Sequence, residues 1–463
     1  MTDPRLVRGV GLRGAVAINA ISMIGIGPLI TIPLVLGALH GPLSIVGWLL
    51  GALLALCDGL VWAELGSLYP GSGGTYGYLR EIFGRHAVGR LLAFLFVWQT
   101  LLVAPLNQAT GYIGFANYAG YLFPQLQTHP WALKGLAIAV GVITIVTLYR
   151  GITNVSKIGV AMFVAAVATL LLVIAGSYAH WHAATALALP AGDSFLAGLG
   201  AGLAQGLLIA MYDYLGYNQS SCIGAEVRDP AKTIPRSILI AIVLVAILYV
   251  TMQLGILGAI PWQRIVPLPN GDLPPIGQHV ASAVVEAAFG QAAATAVTLL
   301  ILVTAFASTY GNLLGYSRVP YAAALDGVFL RPFAHVHARL RFPDVSLVAM
   351  GLLALPACLF PLDQVIAALT TGIVLIQSVA QIAALALVRR RNITAPFRMG
   401  AYPLPALVAL AGWVYIFALA GTVAIVYGVA GLATGTLAYM FRARRARDWP
   451  FGGLAATEVN TLP

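Results

Sequence analysis

The chain has 463 residues, 60% of them apolar and 9% charged, where a soluble domain carries about 25% charged residues. With a mean hydropathy of +0.90 it lacks the charge to keep several soluble domains in water, so an all-α polytopic membrane protein is expected. Apolar stretches of roughly 20 residues suit helices rather than barrel strands, and the net charge of +10 collects in alternate loops, as a topology signal does and a nucleic-acid surface does not.

In chain order, residues 1–13 form a polar, basic segment, and the apolar run after it is too long for the core of a cleavable signal. Twelve spans follow, near 14–39, 44–68, 88–120, 131–149, 155–178, 195–223, 236–260, 290–323, 344–361, 363–388, 402–420 and 422–441. A shorter amphipathic piece at 276–289 precedes the eighth span. Residues 442–463 read as a disordered basic tail, too short for a soluble output domain of a sensor.

Orientation follows from Lys and Arg. With the N-terminus cytoplasmic, the inner segments hold groups such as Arg5, Arg8 and Arg13, then Arg80, Arg85 and Arg90, then Arg318, Arg331, Arg339 and Arg341, then Arg389, Arg390 and Arg391. Only Lys134 and Arg264, of 25 Lys and Arg, fall outside. One misplaced span would mix the two groups. Both termini are therefore expected in the cytoplasm, in an inner or plasma membrane.

Two spans are interrupted. The first contains Gly25-Ile26-Gly27-Pro28 and the sixth contains Met211 to Asn218, each near mid-membrane. Proline and glycine destabilise a helix there. Breaks at matching places, five spans apart, point to a transporter built from inverted repeats with its substrate between the breaks. A kink and a buried glycine are the plainer alternative.

Asp58 and Asp213 are intramembrane acids, which are costly unless they face a cavity or a partner. Asp213 can pair with the cationic group of a substrate or carry a proton; alternatively it accepts hydrogen bonds that hold the broken helix. An acid out of water favours its neutral form, so Asp58 suits a proton carrier or, alternatively, a hydrogen bond between helices. Gln99, Asn107 and Gln108 form a polar stripe on the third span. Ser308, Thr309 and Asn312 on the eighth can line a cavity or, with first-span carbonyls, hold Na⁺. Cys57, Cys222 and Cys358 lie scattered in apolar segments and show no disulfide or metal spacing. Most of the eight histidines, among them His180, His182, His335 and His337, fall in loops and read as solvated. No phosphate-binding loop or catalytic cluster occurs, so neither enzyme nor cofactor is expected.

Four stretches resemble the amino acid–polyamine–organocation permeases. They are Ala63-Glu64-Leu65 with Pro70-Gly71-Ser72-Gly73-Gly74-Thr75-Tyr76-Gly77-Tyr78-Leu79; Gly224-Ala225-Glu226-Val227-Arg228-Asp229-Pro230 with Ile234-Pro235-Arg236; Ser317-Arg318-Val319-Pro320-Tyr321 with Ala324-Leu325-Asp326-Gly327; and the first-span glycine break. They occur in the family's order, and the polyamine and amino-acid branch is the nearest. The resemblance implies a LeuT-type five-plus-five inverted repeat, 14–178 and 195–388, with helices 1 and 6 discontinuous and two further helices at 402–441. It also implies secondary active transport of an amino acid or polyamine by alternating access, proton-coupled or as exchange, by a monomer or homodimer. Na⁺ is the lesser alternative.

On this resemblance, the backbone at Ile24, Gly25, Ile26 and Gly27 is expected to bind a substrate carboxylate, aided by the positive end of a half-helix. Carbonyls from Tyr212 to Leu215, beside Gly216, are expected to accept its amino group. Asn107 is a candidate contact for the same head group or, alternatively, makes a hydrogen bond between helices; Tyr212 is a gate candidate, and Tyr214 and Tyr217 a gate or a cation-stacking surface. Glu64, Glu226 and Arg318 are expected to close an inner gate by ion pairing. Asp213 inclines the substrate class to cations, with a neutral amino-acid carrier as the alternative. Several positions depart from the family pattern: Asn107-Gln108 stands where Asp-Asn is usual, Asp213 and Asn218 have exchanged places, and the fifth span has no interior lysine.

Overall fold

The computed structural model describes residues 9–71, 73–84, 88–150, 155–189, 195–269, 271–338 and 342–451. Arg5, Arg8, Arg85, Arg339 and Arg341, used for orientation, and residues 452–463 of the tail lie outside them. Among the described residues all regular elements are helical, and one isolated bridge joins Val10 to Val227.

The helices are α1 (Leu12–Ile24), α2 (Gly27–Ala38), α3 (Ser44–Leu68), α4 (Thr75–Ile82), α5 (Val88–Leu122), α6 (Pro130–Arg150), α7 (Val155–Ala179), α8 (Phe195–Tyr214) and α9 (Pro230–Ala259). They continue as α10 (Val280–Phe289), α11 (Gln291–Tyr316), α12 (Arg318–Leu325), α13 (Asp344–Ala357), α14 (Leu362–Ile373), α15 (Gln381–Arg390), α16 (Leu404–Leu419) and α17 (Thr422–Ala446). A π-helical stretch, Val374–Ala380, joins α14 to α15. Among the described residues 7 helices are long and apolar enough to cross a membrane, or 8 counting α1 and α2 as one span bent by 50°. Shorter apolar helices cover Val164–Ala179, Val280–Phe289, Asp344–Ala357 and Leu404–Leu419. Exposed Leu49, Ile247, Val303 and Leu437 give these helices an apolar outer surface, which lipid covers at no cost. The chain is an integral membrane protein of helices.

The core forms around α3, which lies along α9 and also meets α8. Its glycines permit that approach. A methyl group at Gly59 would come within 2.6 Å of Ile242, and one at Gly51 within 3.1 Å of Tyr214. Elsewhere α5 runs beside α11, and α2 packs on α8.

One end of the bundle carries the strapping contacts. Phe397 N–H donates to Ser67 Oγ (3.1 Å) and Gly73 N–H to the Cys222 carbonyl (2.9 Å). The tail departs from expectation. Helix α17 continues to Ala446, and Asp448 pairs with Arg90 (3.0 Å) and Arg442 (3.3 Å). Those two arginines also donate to the Gly327 carbonyl. Opposite charges brought together by folding thus hold the first part of a segment whose composition reads as disordered.

Candidate functional site

The first break is local chemistry. Gly25 sits at φ +23°, a conformation that favours glycine, and its N–H still reaches back to Ile21 O (3.3 Å). Ile24 closes α1 and Ile26 caps α2. Pro28 falls in the first turn of α2, where its missing N–H costs nothing. The second break is Leu215–Asn218, between α8 and the short turn Gln219–Cys222. Gly216 there has φ +114°, and a methyl group on it would lie 2.7 Å from the Ser22 carbonyl carbon. The two breaks are therefore in contact. Asn19 reinforces this: its Oδ1 accepts from Ser220 N–H (2.7 Å) and its Nδ2 donates to Ser220 Oγ (3.1 Å).

Asp213 lies at this junction, 2% exposed. Its Oδ2 accepts from Thr31 Oγ1 on α2 (2.5 Å). Its Oδ1 abuts Gly27, where any side chain would collide with it, and has no hydrogen-bond partner. The carboxyl group thus sits at the N-terminal turn of α2, where the helix dipole favours negative charge. Tyr249 on α9 completes the junction. Its hydroxyl lies 2.8 Å from Met23 O and 3.3 Å from Asp213 O, carbonyls in the last turns of α1 and α8.

The neighbouring residues divide. Tyr212 is buried, and its hydroxyl donates to Thr110 Oγ1 on α5 (2.7 Å), which donates to the Asn107 carbonyl (2.8 Å). Asn107 thereby joins the site through its backbone. Tyr214 turns away: its hydroxyl donates to Trp48 O (3.2 Å), and its ring packs edge-on against Trp48. Leu215 N–H returns to Met211 O (3.1 Å) and Tyr212 O (3.2 Å), so of the carbonyls expected to accept an amine that of Tyr212 has a backbone partner. The Gln108 side-chain amide faces Thr309 O (3.0 Å) and Leu313 N–H (2.9 Å) of α11, and assigning its nitrogen to the first and its oxygen to the second satisfies both. Ser308 Oγ lies 3.2 Å from a Cβ position on Gly25, whereas Thr309 donates within its own helix to Phe306 O (2.8 Å). Among the described residues no three His, Cys, Asp or Glu could hold a metal ion.

Asp58 stands apart from Asp213. Tyr217 donates to its Oδ2 (2.5 Å) and Trp413 of α16 to its Oδ1 (3.2 Å). Tyr217 therefore holds the second break to α3 instead of stacking on a cation.

The ion pairs at the strapped end differ in part from expectation. Glu64 is fully buried; its Oε2 accepts from Arg389 (2.6 Å) and from Met399 N–H (2.9 Å). Arg389 also lies over the Tyr402 ring, 4.7 Å from its centroid. Arg318, by contrast, is exposed and donates to Leu314 O (3.4 Å) in the preceding turn. The pair at that loop is Arg80 with Asp326 (2.6 Å), joined by the Tyr76 hydroxyl (2.9 Å). Arg318 starts α12 while Asp326 ends it, so the acid reaches α4 and the arginine does not. Glu226 contributes through its carbonyl, which accepts from Val10 N–H (3.1 Å). Tyr249 and Trp413 were absent from the sequence-based candidates. Both fall near the middle of expected spans, although tyrosine and tryptophan favour membrane interfaces, and that misplacement is the signal that marks them.

A family profile described as amino acid permease matches residues 11–442. The chain belongs to this family. The permease is 25% identical to the serine/threonine exchanger SteT of Bacillus subtilis over 89% of its own length and 91% of the relative's. It is 28% identical to an uncharacterized transporter of Mycobacterium bovis over 97% and 96% of the two chains. The vacuolar cationic amino acid transporter 4 of Arabidopsis thaliana matches at 27% identity, over 74% of the permease and 57% of that relative. The permease is accordingly a transporter rather than an enzyme.

Proposed function

We propose that the permease is a secondary active carrier of amino acids or polyamines, inclined to cationic ones, whose substrate binds where the α1–α2 and α8 breaks meet. In this reading the chain crosses the membrane twelve times, with repeats at 14–178 and 195–388, a final pair of helices at 402–441 and both termini cytoplasmic. The strapped end is then the closed inner gate, held by Glu64–Arg389 and Arg80–Asp326, and alternating access opens it.

The observation that carries the reading is the buried, unpartnered Oδ1 of Asp213 against Gly27. A carboxyl oxygen without a partner there is costly when ionised, and a substrate cation supplies the missing donor. The same geometry gives proton coupling a physical basis. A substrate carboxylate seeking the α2 N-terminus meets Asp213, and like charges repel unless Asp213 binds a proton. Asp58, with both oxygens held, positions the second break. Cationic transport in one named relative and serine/threonine exchange in another bracket the substrate class.

The test is thermal stabilisation of purified wild type and Asp213→Asn by putrescine, spermidine, agmatine, Arg, Lys, Ala, Leu and Glu at several pH values. A ligand at 100 times its Kd adds about 2.7 kcal/mol. Stabilisation by cationic ligands, lost in the variant, supports the reading. Stabilisation by Ala or Leu alone, with only its pH dependence lost in the variant, makes Asp213 the proton site of a neutral amino-acid carrier. If no ligand's effect changes in the variant, the substrate lies elsewhere.

A further inference from the structure

Tyr249 places one hydroxyl between two orphaned helix ends. Helix α1 stops at Ile24 and α8 at Tyr214, so carbonyls in their last turns have no intrahelical donor ahead of them. Met23 O and Asp213 O are two of these, and both face the hydroxyl of Tyr249, at 2.8 Å and 3.3 Å. One O–H carries one proton, so the two carbonyls share a single donor. The ring is fixed independently. It is fully buried and packs against Trp48 (centroids 5.3 Å apart) and Tyr214 (5.6 Å). Trp48 is anchored in turn by its indole N–H on Gln253 Oε1 (3.2 Å), and Gln253 donates to Ser44 (3.0 Å). The donor is thus held by α3 and α9 and aimed at the junction of the two broken spans.

A primary ammonium group has three donors and no acceptor. It satisfies both carbonyls at full strength, where one hydroxyl satisfies them in part. We infer that Tyr249 is a positioning residue whose hydroxyl stands in for the amino group of the substrate in the empty carrier, and that the α-amino group displaces it on binding. The inference rests on the proposed placement of the substrate at the breaks. What it adds is the residue that holds two carbonyls at the breaks when no amine is bound. The hydroxyl sets an amine-specific threshold: each substrate displaces one hydrogen bond to make its own.

The test uses the full-length protein with L-arginine and 5-guanidinopentanoate, the same molecule without its α-amino group, as probes. Tyr249→Phe keeps the ring and removes the donor. The melting temperature of the ligand-free variant should fall, while its Kd for L-arginine tightens by about fivefold, the value of one neutral hydrogen bond. Its Kd for 5-guanidinopentanoate should stay unchanged. Incorporating 4-aminophenylalanine at position 249 restores a donor at the ring tip and should return the L-arginine affinity toward wild type; it also serves if the phenylalanine variant fails to fold, since a wild-type Kd there, with a tighter one for 4-methylphenylalanine, carries the same meaning. The inference is overturned if both probes respond alike to Tyr249→Phe, or if L-arginine binding is unchanged or weakened. That result with Asp213→Asn still altering L-arginine binding removes only the role of Tyr249. If neither variant changes binding of any ligand in the wider panel, the placement of the substrate at the breaks fails as well.

Discussion

Asp58 and Asp213 are both 2% exposed in the middle of the bundle, yet they are held in opposite ways. Asp58 has a donor on each oxygen, from Tyr217 and Trp413. Asp213 has Thr31 on one oxygen and nothing on the other. A buried carboxyl group with every oxygen satisfied fixes the positions of its partners. One with an oxygen left over and no ion partner, as Asp213 is, carries a cost that a proton or a ligand can remove. On the proposed reading, the contrast separates an acid that builds the permease from one that works in it, although the two look equivalent along the chain.

Substitutions can break this comparison. The largest expected effect comes from a third buried acid, Glu64, which also has one oxygen without a hydrogen-bond partner but is ion-paired to Arg389 through the other. Glu64→Ala leaves Arg389 without its partner and should cost about 3–5 kcal/mol in a denaturation experiment in detergent; a loss below about 1 kcal/mol would show that the strapped end does not depend on this pair. Asp58→Ala orphans the Tyr217 and Trp413 donors and should cost about 3 kcal/mol, read from the same curves.

Gly216→Ala forces a strained φ and a clash with the Ser22 backbone. It should cost about 2 kcal/mol and lower transport by separating the breaks, with uptake measured in vesicles at matched protein levels. Thr31→Val removes the donor on Asp213 Oδ2 and should cost about 1 kcal/mol, with substrate Kd measured alongside. Asp213→Asn should change stability least, by about 1 kcal/mol or less, while abolishing binding of cationic substrates or its pH dependence. Equal stability losses for Asp58→Asn and Asp213→Asn would erase the distinction between the two acids.

Much of the helical framework was legible from hydropathy alone. The second span, expected at 44–68, is α3 at Ser44–Leu68, because a long apolar run bounded by glycine and proline leaves little choice. Both breaks were legible for the same local reason. The ion pairs were legible only by residue type. Glu64 was expected to pair, but Arg389 lies 325 positions away, and no local pattern names it. Arg318 was expected to pair and has no ion partner among the described residues, since the register of α12 gives the contact with Arg80 to Asp326. Residue type alone makes Tyr212 a gate candidate and Tyr214 and Tyr217 candidates for a gate or a cation-stacking surface. Their side chains leave successive turns of a broken helix in different directions, toward Trp48, Asp58 and Thr110.

By itself the sequence determined that this protein is a helical membrane protein, where its long apolar helices run and where two of them break. These follow from the transfer of side chains and backbone out of water, which depends on composition over short windows. Tertiary structure decided that the two breaks touch, that Asp58 is satisfied and Asp213 is not, and that Tyr249 faces both helix ends. Hydrogen bonds act over about 3 Å, and residues far apart in sequence come within that reach only when the helices pack.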